Sequence, residues 1–207
     1  MNKKGIVLFD IDRTIFDSEK LGNKMNQKIK ILLGGVSDDI LLSVKKKYMD
    51  SLKFDREYSP ENYINVICSE LNFKKPELLN DVYYGKENIY EDCVFPDAYT
   101  IFEELRPLYD LGIFSEGTKK FQNHKFASSG LKRYFDPELV FIFDNKSLPK
   151  SLNLIPNDSI IVDDKESVCE YLTKANIKAI WLNKKDDRIS NNFQTIHNLL
   201  ELKEKLM

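Results

Sequence analysis

Apolar residues in this chain follow two rhythms. Ile6-Val7-Leu8-Phe9 is an unbroken apolar run that stops abruptly at Asp10. A run without polar alternation suits a strand covered on both faces of a parallel sheet. The form recurs: Gly112-Ile113-Phe114 stops at Ser115, Leu139-Val140-Phe141-Ile142-Phe143 at Asp144-Asn145-Lys146, Ser159-Ile160-Ile161-Val162 at Asp163-Asp164, and the run 177–182 at Asn183. Between these runs, at about 97–110, 119–129, 165–175 and 190–205, apolar residues fall at helical spacing. Strands alternating with helices predict an α/β protein built on a doubly wound parallel sheet.

Residues 17–94 break this alternation. Ile29, Ile31, Leu32 and Leu33, then Ile40, Leu41, Leu42 and Val44, then Tyr63, Ile64, Val66 and Ile67, then Leu78, Leu79 and Val82 all have helix-like spacing. Gly34-Gly35 marks a boundary, and Ser59-Pro60-Glu61 reads as a helix start with Ser as cap and Pro in the first turn. The pattern predicts a helical insertion, 17–94, between the first and second strands, with 1–16 plus 95–207 forming the α/β core. Pro96-Asp97 marks the return.

Composition narrows the class without choosing a function. With 42% hydrophobic and 31% charged residues, the 207-residue chain reads as globular and long enough to bury a core. A net charge of −2 gives no general attraction to nucleic acid or acidic membranes, so neither is expected as a partner. Cys68, Cys93 and Cys169 are far apart and form no CxxC pair, which fits small buried hydrophobes in a reducing compartment. The opening apolar run is too short for a signal peptide, and no segment reaches the ~20 apolar residues of a membrane span. The expectation is a cytoplasmic monomer or dimer.

The chemistry gathers at strand ends, where ligands bind in open α/β sheets. Asp10 and Asp12 stand two residues apart just past a buried strand, and an extended backbone would aim both to one side. Taken alone, they equally fit turn or cap residues. As neighbouring acids they need a cation or a shared proton, and a hard divalent ion with oxygen ligands would answer. Asp163-Asp164, at another strand end, would complete its cage.

The order of these segments resembles the haloacid dehalogenase superfamily: Asp10-Ile11-Asp12-Arg13-Thr14, then Ser115 in IFSEGT, Lys146 in FIFDNK, and Asp163-Asp164 in IIVDD. The helical insertion is similar to that superfamily's cap domain, placed between its first two motifs. The resemblance implies a Rossmann-like core and a Mg2+-dependent phosphatase acting on a small phosphorylated metabolite. It casts Asp10 as the nucleophile that forms an aspartyl-phosphate and Asp12 as general acid and base. Mg2+ would sit on Asp10, the Asp12 backbone carbonyl, Asp164 and Asp163. Ser115 and the backbone amides of Glu116 and Gly117 would hold phosphoryl oxygens at a helix N-terminus, and Thr14 would steady the loop. Lys146 would stabilise charge; Lys150, four residues on, is the alternative lysine.

Two positions depart from the superfamily pattern. Arg13 stands where Gly is common, and Val168 where an acid or Asn often falls. The superfamily's dehalogenases lack an acid at the Asp12 position and its transport ATPases carry Thr there, so a phosphatase is the expected chemistry. A sugar phosphomutase shares every motif and stays open. A phospho-acceptor module similar to response-regulator receivers is disfavoured, because those place the acidic pair and the phosphorylated Asp on different strands. His124 and His197 read as structural residues within helical segments.

Overall fold

The computed structural model describes residues 3–206. β1 (Ile6–Phe9) leads into α1 (Ser18–Leu32), α2 (Asp38–Asp50), α3 (Pro60–Glu70) and α4 (Pro76–Tyr84). The chain then alternates: α5 (Pro96–Leu105), β2 (Asp110–Glu116), α6 (Lys119–Ser128), β3 (Val140–Phe143), α7 (Pro149–Leu152), β4 (Ser159–Asp163), α8 (Glu166–Lys174), β5 (Lys178–Leu182), β6 (Gln194–Ile196) and α9 (Leu202–Leu206). The six strands form one all-parallel sheet in the order β3-β2-β1-β4-β5-β6. This is a doubly wound α/β fold, and its winding reverses beside β1, where such sheets open a crevice at their carboxyl edge.

The apolar run of β1 is explained by its two covered faces. Val7 and Phe9 are buried in the cluster that includes Ala98, Ile101 and Phe102 of α5. Leu8 points the other way, into a second cluster with Val168, Cys169 and Leu172 of α8. Gly112 of β2 allows the sheet to close here: a Cβ would lie 2.4 Å from the Leu139 carbonyl and 2.6 Å from the Leu8 side chain. Any larger residue would push β2 away from β3 and β1.

Between β1 and β2 the chain folds as helices, each with a local reason to begin. Asp17, Ser37 and Ser59 accept hydrogen bonds from the first-turn amides of Lys20, Ile40 and Asn62. Pro60 and Pro76 occupy first turns, where no intrahelical N–H is needed. The outgoing and returning strands of this segment run side by side: Asp17 donates its amide to Cys93 (2.7 Å) and Phe95 donates to Ile15 (3.1 Å). Tyr83 and Tyr84 pack against Phe121 of α6, and Tyr90 against His124.

Two expectations need correction. The segment 190–205 is not one helix: it contains β6, a sixth strand, and only its last residues are helical. His197 therefore follows a strand, with Nδ1 2.9 Å from the Asn183 carbonyl. Among the described residues, no helix is long and apolar enough to cross a membrane.

Candidate active site

The register of the sheet brings the acidic strand ends together. Phe9 pairs with Ile113 on one side and Val162 on the other, so Asp10 emerges beside Asp163 and short of Ser115. The Asp10 amide is held by the Val162 carbonyl at 2.9 Å. Between the two carboxylates lies the ammonium of Lys146, 2.6 Å from Asp10 Oδ1 and 2.5 Å from Asp163 Oδ2, and 1% exposed. The Asp163 contact is an ion pair without hydrogen-bond alignment. Lys150, by contrast, is exposed on α7, so Lys146 is the lysine of this site.

One ammonium does not neutralise this many acids. Burial raises the Asp10 carboxyl most; Lys146 opposes it, the charges of Asp163 and Asp12 add to it, and the result is about 6. Asp164 is likewise pushed up to about 6, by burial and then by the Asp10 charge, against Arg13, Lys146 and Lys165. Asp163 is also raised, again chiefly by burial. Asp10, Asp163 and Asp164 each offer an oxygen within 4.8 Å of the others. Asp164 Oδ1 is buried without a hydrogen-bond partner. An all-carboxylate donor set with a surplus of buried negative charge fits a hard divalent cation.

Asp12 leaves the strand direction. Residues 11–16 form a tight turn in which the amides of Ile15 and Phe16 both reach the Ile11 carbonyl, at 3.1 and 3.0 Å. The extended DxD geometry expected from the sequence is therefore corrected: Ile11 is buried and Asp12 faces a cavity. Arg13 completes the turn with φ 62°, a left-handed conformation that Gly would adopt without strain. Its Nε lies 3.2 Å from Asp164 Oδ2.

Three donors that sequence reasoning missed surround the Asp12 carboxylate. Lys125 Nζ (2.5 Å) and the Ser18 hydroxyl reach Oδ1, and Gln122 Nε2 (2.6 Å) reaches Oδ2. Burial works to raise this carboxyl, but Lys125, Gln122 and Ser18 together hold it down to about 2. Gln122 and Lys125 lie three apart on α6, and Lys125 is 3% exposed. The available signal was that spacing beside Phe121 and Phe126, which places two polar residues on a helix face that is otherwise buried.

The residues expected to bind phosphate are placed as expected only in part. Ser115 lies in β2, not at a helix N-terminus; α6 begins beyond Thr118. Its hydroxyl is buried without a partner, as is that of Thr14. Thr14 thus steadies the loop through its carbonyl, which accepts from Lys184 at 3.2 Å, and not through its hydroxyl. The Gly117 amide, expected to face phosphate, donates instead to the Phe143 carbonyl at 2.8 Å. Gly117 has φ 137°, and a Cβ there would lie 2.9 Å from Gln122 Nε2, so glycine lets Gln122 cross over the loop to Asp12. The Glu116 side chain accepts from Lys165 (2.7 Å) and from the Lys146 amide (3.3 Å), bracing the lysine loop. Lys20 and Lys24, near the first motif, both pair with Asp92 outside the central cavity.

Buried acids sharing one lysine at the switch point of a doubly wound sheet, beside a helical segment between β1 and β2, are the features on which the chain can be set against known proteins. No family model matches the chain, and no curated protein does. Solved structures match over essentially its whole length. A HAD phosphatase from Thermococcus onnurineus is 28% identical with a TM-score of 0.62, covering 98% of this chain and 97% of that one. YfnB from Bacillus subtilis, a HAD-type hydrolase fold bound to magnesium, is 17% identical with a TM-score of 0.69 over 99% of both chains. A 2-haloacid dehalogenase from Pseudomonas syringae is 19% identical with a TM-score of 0.65, covering 100% and 98%. The chain belongs to the haloacid dehalogenase superfamily of hydrolases. That fold serves phosphatases, dehalogenases and a phosphoglucomutase alike, so the chemistry has to be argued from the site.

Proposed function

We propose that this protein is a Mg2+-dependent phosphatase that hydrolyses a small phosphomonoester through an aspartyl-phosphate on Asp10. The observation that carries the reading is the Lys146 ammonium buried between Asp10 and Asp163, with the partnerless Ser115 hydroxyl and Asp164 oxygen nearby. Mg2+ on Asp10, Asp164 and the Asp12 carbonyl would supply charge neutralisation for a phosphoryl group; YfnB holds magnesium on the same fold. Asp163 contributes by anchoring Lys146. The unpartnered hydroxyls of Ser115 and Thr14 are free to donate to phosphoryl oxygens.

Asp10 attacks phosphorus and the ester oxygen leaves; water then attacks the aspartyl-phosphate and restores the carboxylate. Lys146 keeps Asp10 oriented and offsets charge on the transferring group. Asp12 serves the proton transfers: it donates to the leaving oxygen and later accepts from the attacking water. In the ligand-free site it is a carboxylate, held by Lys125, Gln122 and Ser18. When these donors turn to phosphoryl oxygens, Asp12 is released to take up the proton it must deliver. The presence of an acid at this position separates the reading from a dehalogenase, which needs no protonation of its halide leaving group. The helical segment 17–94 would act as the cap that excludes bulk water.

A panel of phosphate esters, including p-nitrophenyl phosphate, assayed with Mg2+ tests this. Release of inorganic phosphate well above an Asp10→Asn control supports it. No ester turned over above that control sinks it. Isomerised sugar phosphate as the product, with little free phosphate, would identify the mutase instead.

A further inference from the structure

A cavity of about 480 Å³ opens from Asp12 toward the helical segment, a volume suited to a small metabolite. Part of its lining is apolar: Leu21 and Met25 of α1, Met49 of α2, Phe121 of α6 and Tyr58. Its charges are distributed unevenly. At the Asp12 end every cation in the lining has a carboxylate partner: Lys125 with Asp12, Lys165 with Glu116, Arg13 with Asp164. On the helical side two more cations line the cavity, Lys45 of α2 and Arg56, both half-buried. Among the described residues neither has a carboxylate within 4.0 Å. The Arg56 guanidinium lies 3.8 Å from the Phe54 ring centroid, a contact that holds its fork in place. The other carboxylates of the lining outside the ion pairs, Glu19 and Asp55, are exposed to water.

Partly desolvating two cations without a counter-charge is unfavourable, and an anionic ligand group would offset it. We propose that the substrate carries a second anionic group, carboxylate or phosphoryl, at the end opposite its scissile phosphate. Lys45 and Arg56 bind this group, and an apolar or ring-like body spans the cavity between the two ends. The apolar part of the lining favours a body with apolar surface, and the two cations favour an anionic tail over an uncharged one. This rests on the phosphatase reading of the Asp10 site and adds the substrate class to it.

The test uses three sets of esters with Mg2+: phenyl phosphate, phenyl phosphates bearing a para carboxylate on a variable methylene spacer, and the matching series with a phosphonate tail. The best tailed ester should exceed phenyl phosphate in kcat/KM by about tenfold or more, through KM. The series that gains identifies the anion. The Lys45→Gln/Arg56→Gln variant should bring the ratio of tailed to untailed ester close to one. Calorimetric binding of the corresponding benzylphosphonates, which are not hydrolysed, should show the same preference and the same loss. A wild-type ratio near one in both series, or a ratio the double variant leaves intact, overturns the proposal while phosphate release still upholds the hydrolase. Tighter binding of tailed phosphonates without turnover of any ester would uphold the anion site and refute the hydrolase.

Discussion

Replacing Lys146 with Met tests the electrostatics of the site through stability alone. Lys146 is buried, with Asp10 Oδ1 at 2.6 Å and Asp163 Oδ2 at 2.5 Å. With an effective dielectric near 20, each contact contributes about 6 kcal/mol of Coulomb attraction before desolvation. Much of that is cancelled by the cost of dehydrating the ammonium, so the intact pair adds little net stability. Removing only the cation is different, because two carboxylates stay buried; the expected loss is about 3–5 kcal/mol. That is a large share of the roughly 5–15 kcal/mol that holds a domain folded.

The loss should depend on pH. In the wild type the folded Asp10 carboxyl lies at about 6, above its ordinary 3.8, so the folded state binds the proton more tightly. Stability from this group is therefore present below pH 3.8 and lost as pH rises toward 6. Without Lys146 the carboxyl rises further and the decline continues past pH 6. Urea unfolding in chelator should show the variant's deficit in full at pH 7.5 and largely relieved at pH 5, and millimolar Mg2+ should restore part of it at pH 7.5. A deficit under about 1 kcal/mol at pH 7.5, or one equal at both pH values, would refute the reasoning.

Further outcomes follow from the same geometry. Because Asp10 and Asp164 both lie at about 6, Mg2+ must displace protons from them; calorimetry should find affinity rising as pH climbs from 5 to 7, by up to about tenfold per unit per group, with proton release. Flat affinity over that window would count against these ligands. Arg13→Gly removes a left-handed arginine and its contact with Asp164, and should tighten Mg2+ binding severalfold; weaker binding would show that Arg13 supports the site. Asp12→Asn should cost about 10²–10⁴ in kcat on alkyl phosphates, whose leaving oxygen needs a proton, and far less on p-nitrophenyl phosphate. Equal losses on both would deny Asp12 its role as acid.

The sequence showed the middle of the sheet more clearly than its edge. β1 is read correctly because burial on both faces leaves an unbroken apolar run, and its carboxyl end lines up the acids. β6 was invisible for the opposite reason. Gln194-Thr195-Ile196 is a short strand of which only Ile196 is buried, so the helical spacing of the leucines after it dominated the pattern. Within the site, strand-end residues were legible because strand period and register determine where they emerge. Ser18, Gln122 and Lys125 were not, because polar residues on helices are ordinarily solvated, and only the docking of α1 and α6 over Asp12 buries Gln122 and Lys125 and half-buries Ser18. The Gly117 amide was misjudged on similar grounds: its acceptor, the Phe143 carbonyl, comes from a neighbouring strand.

The central claim is a covalent phosphoryl group on Asp10. Rapid acid quenching of enzyme, Mg2+ and a turned-over ester, followed by peptide mass spectrometry, should find one phosphoryl group on the peptide carrying Asp10. It should be labile to hydroxylamine and absent in Asp10→Asn. Steady phosphate release with no phosphoryl group on that peptide, or undiminished release by Asp10→Asn, would contradict the account.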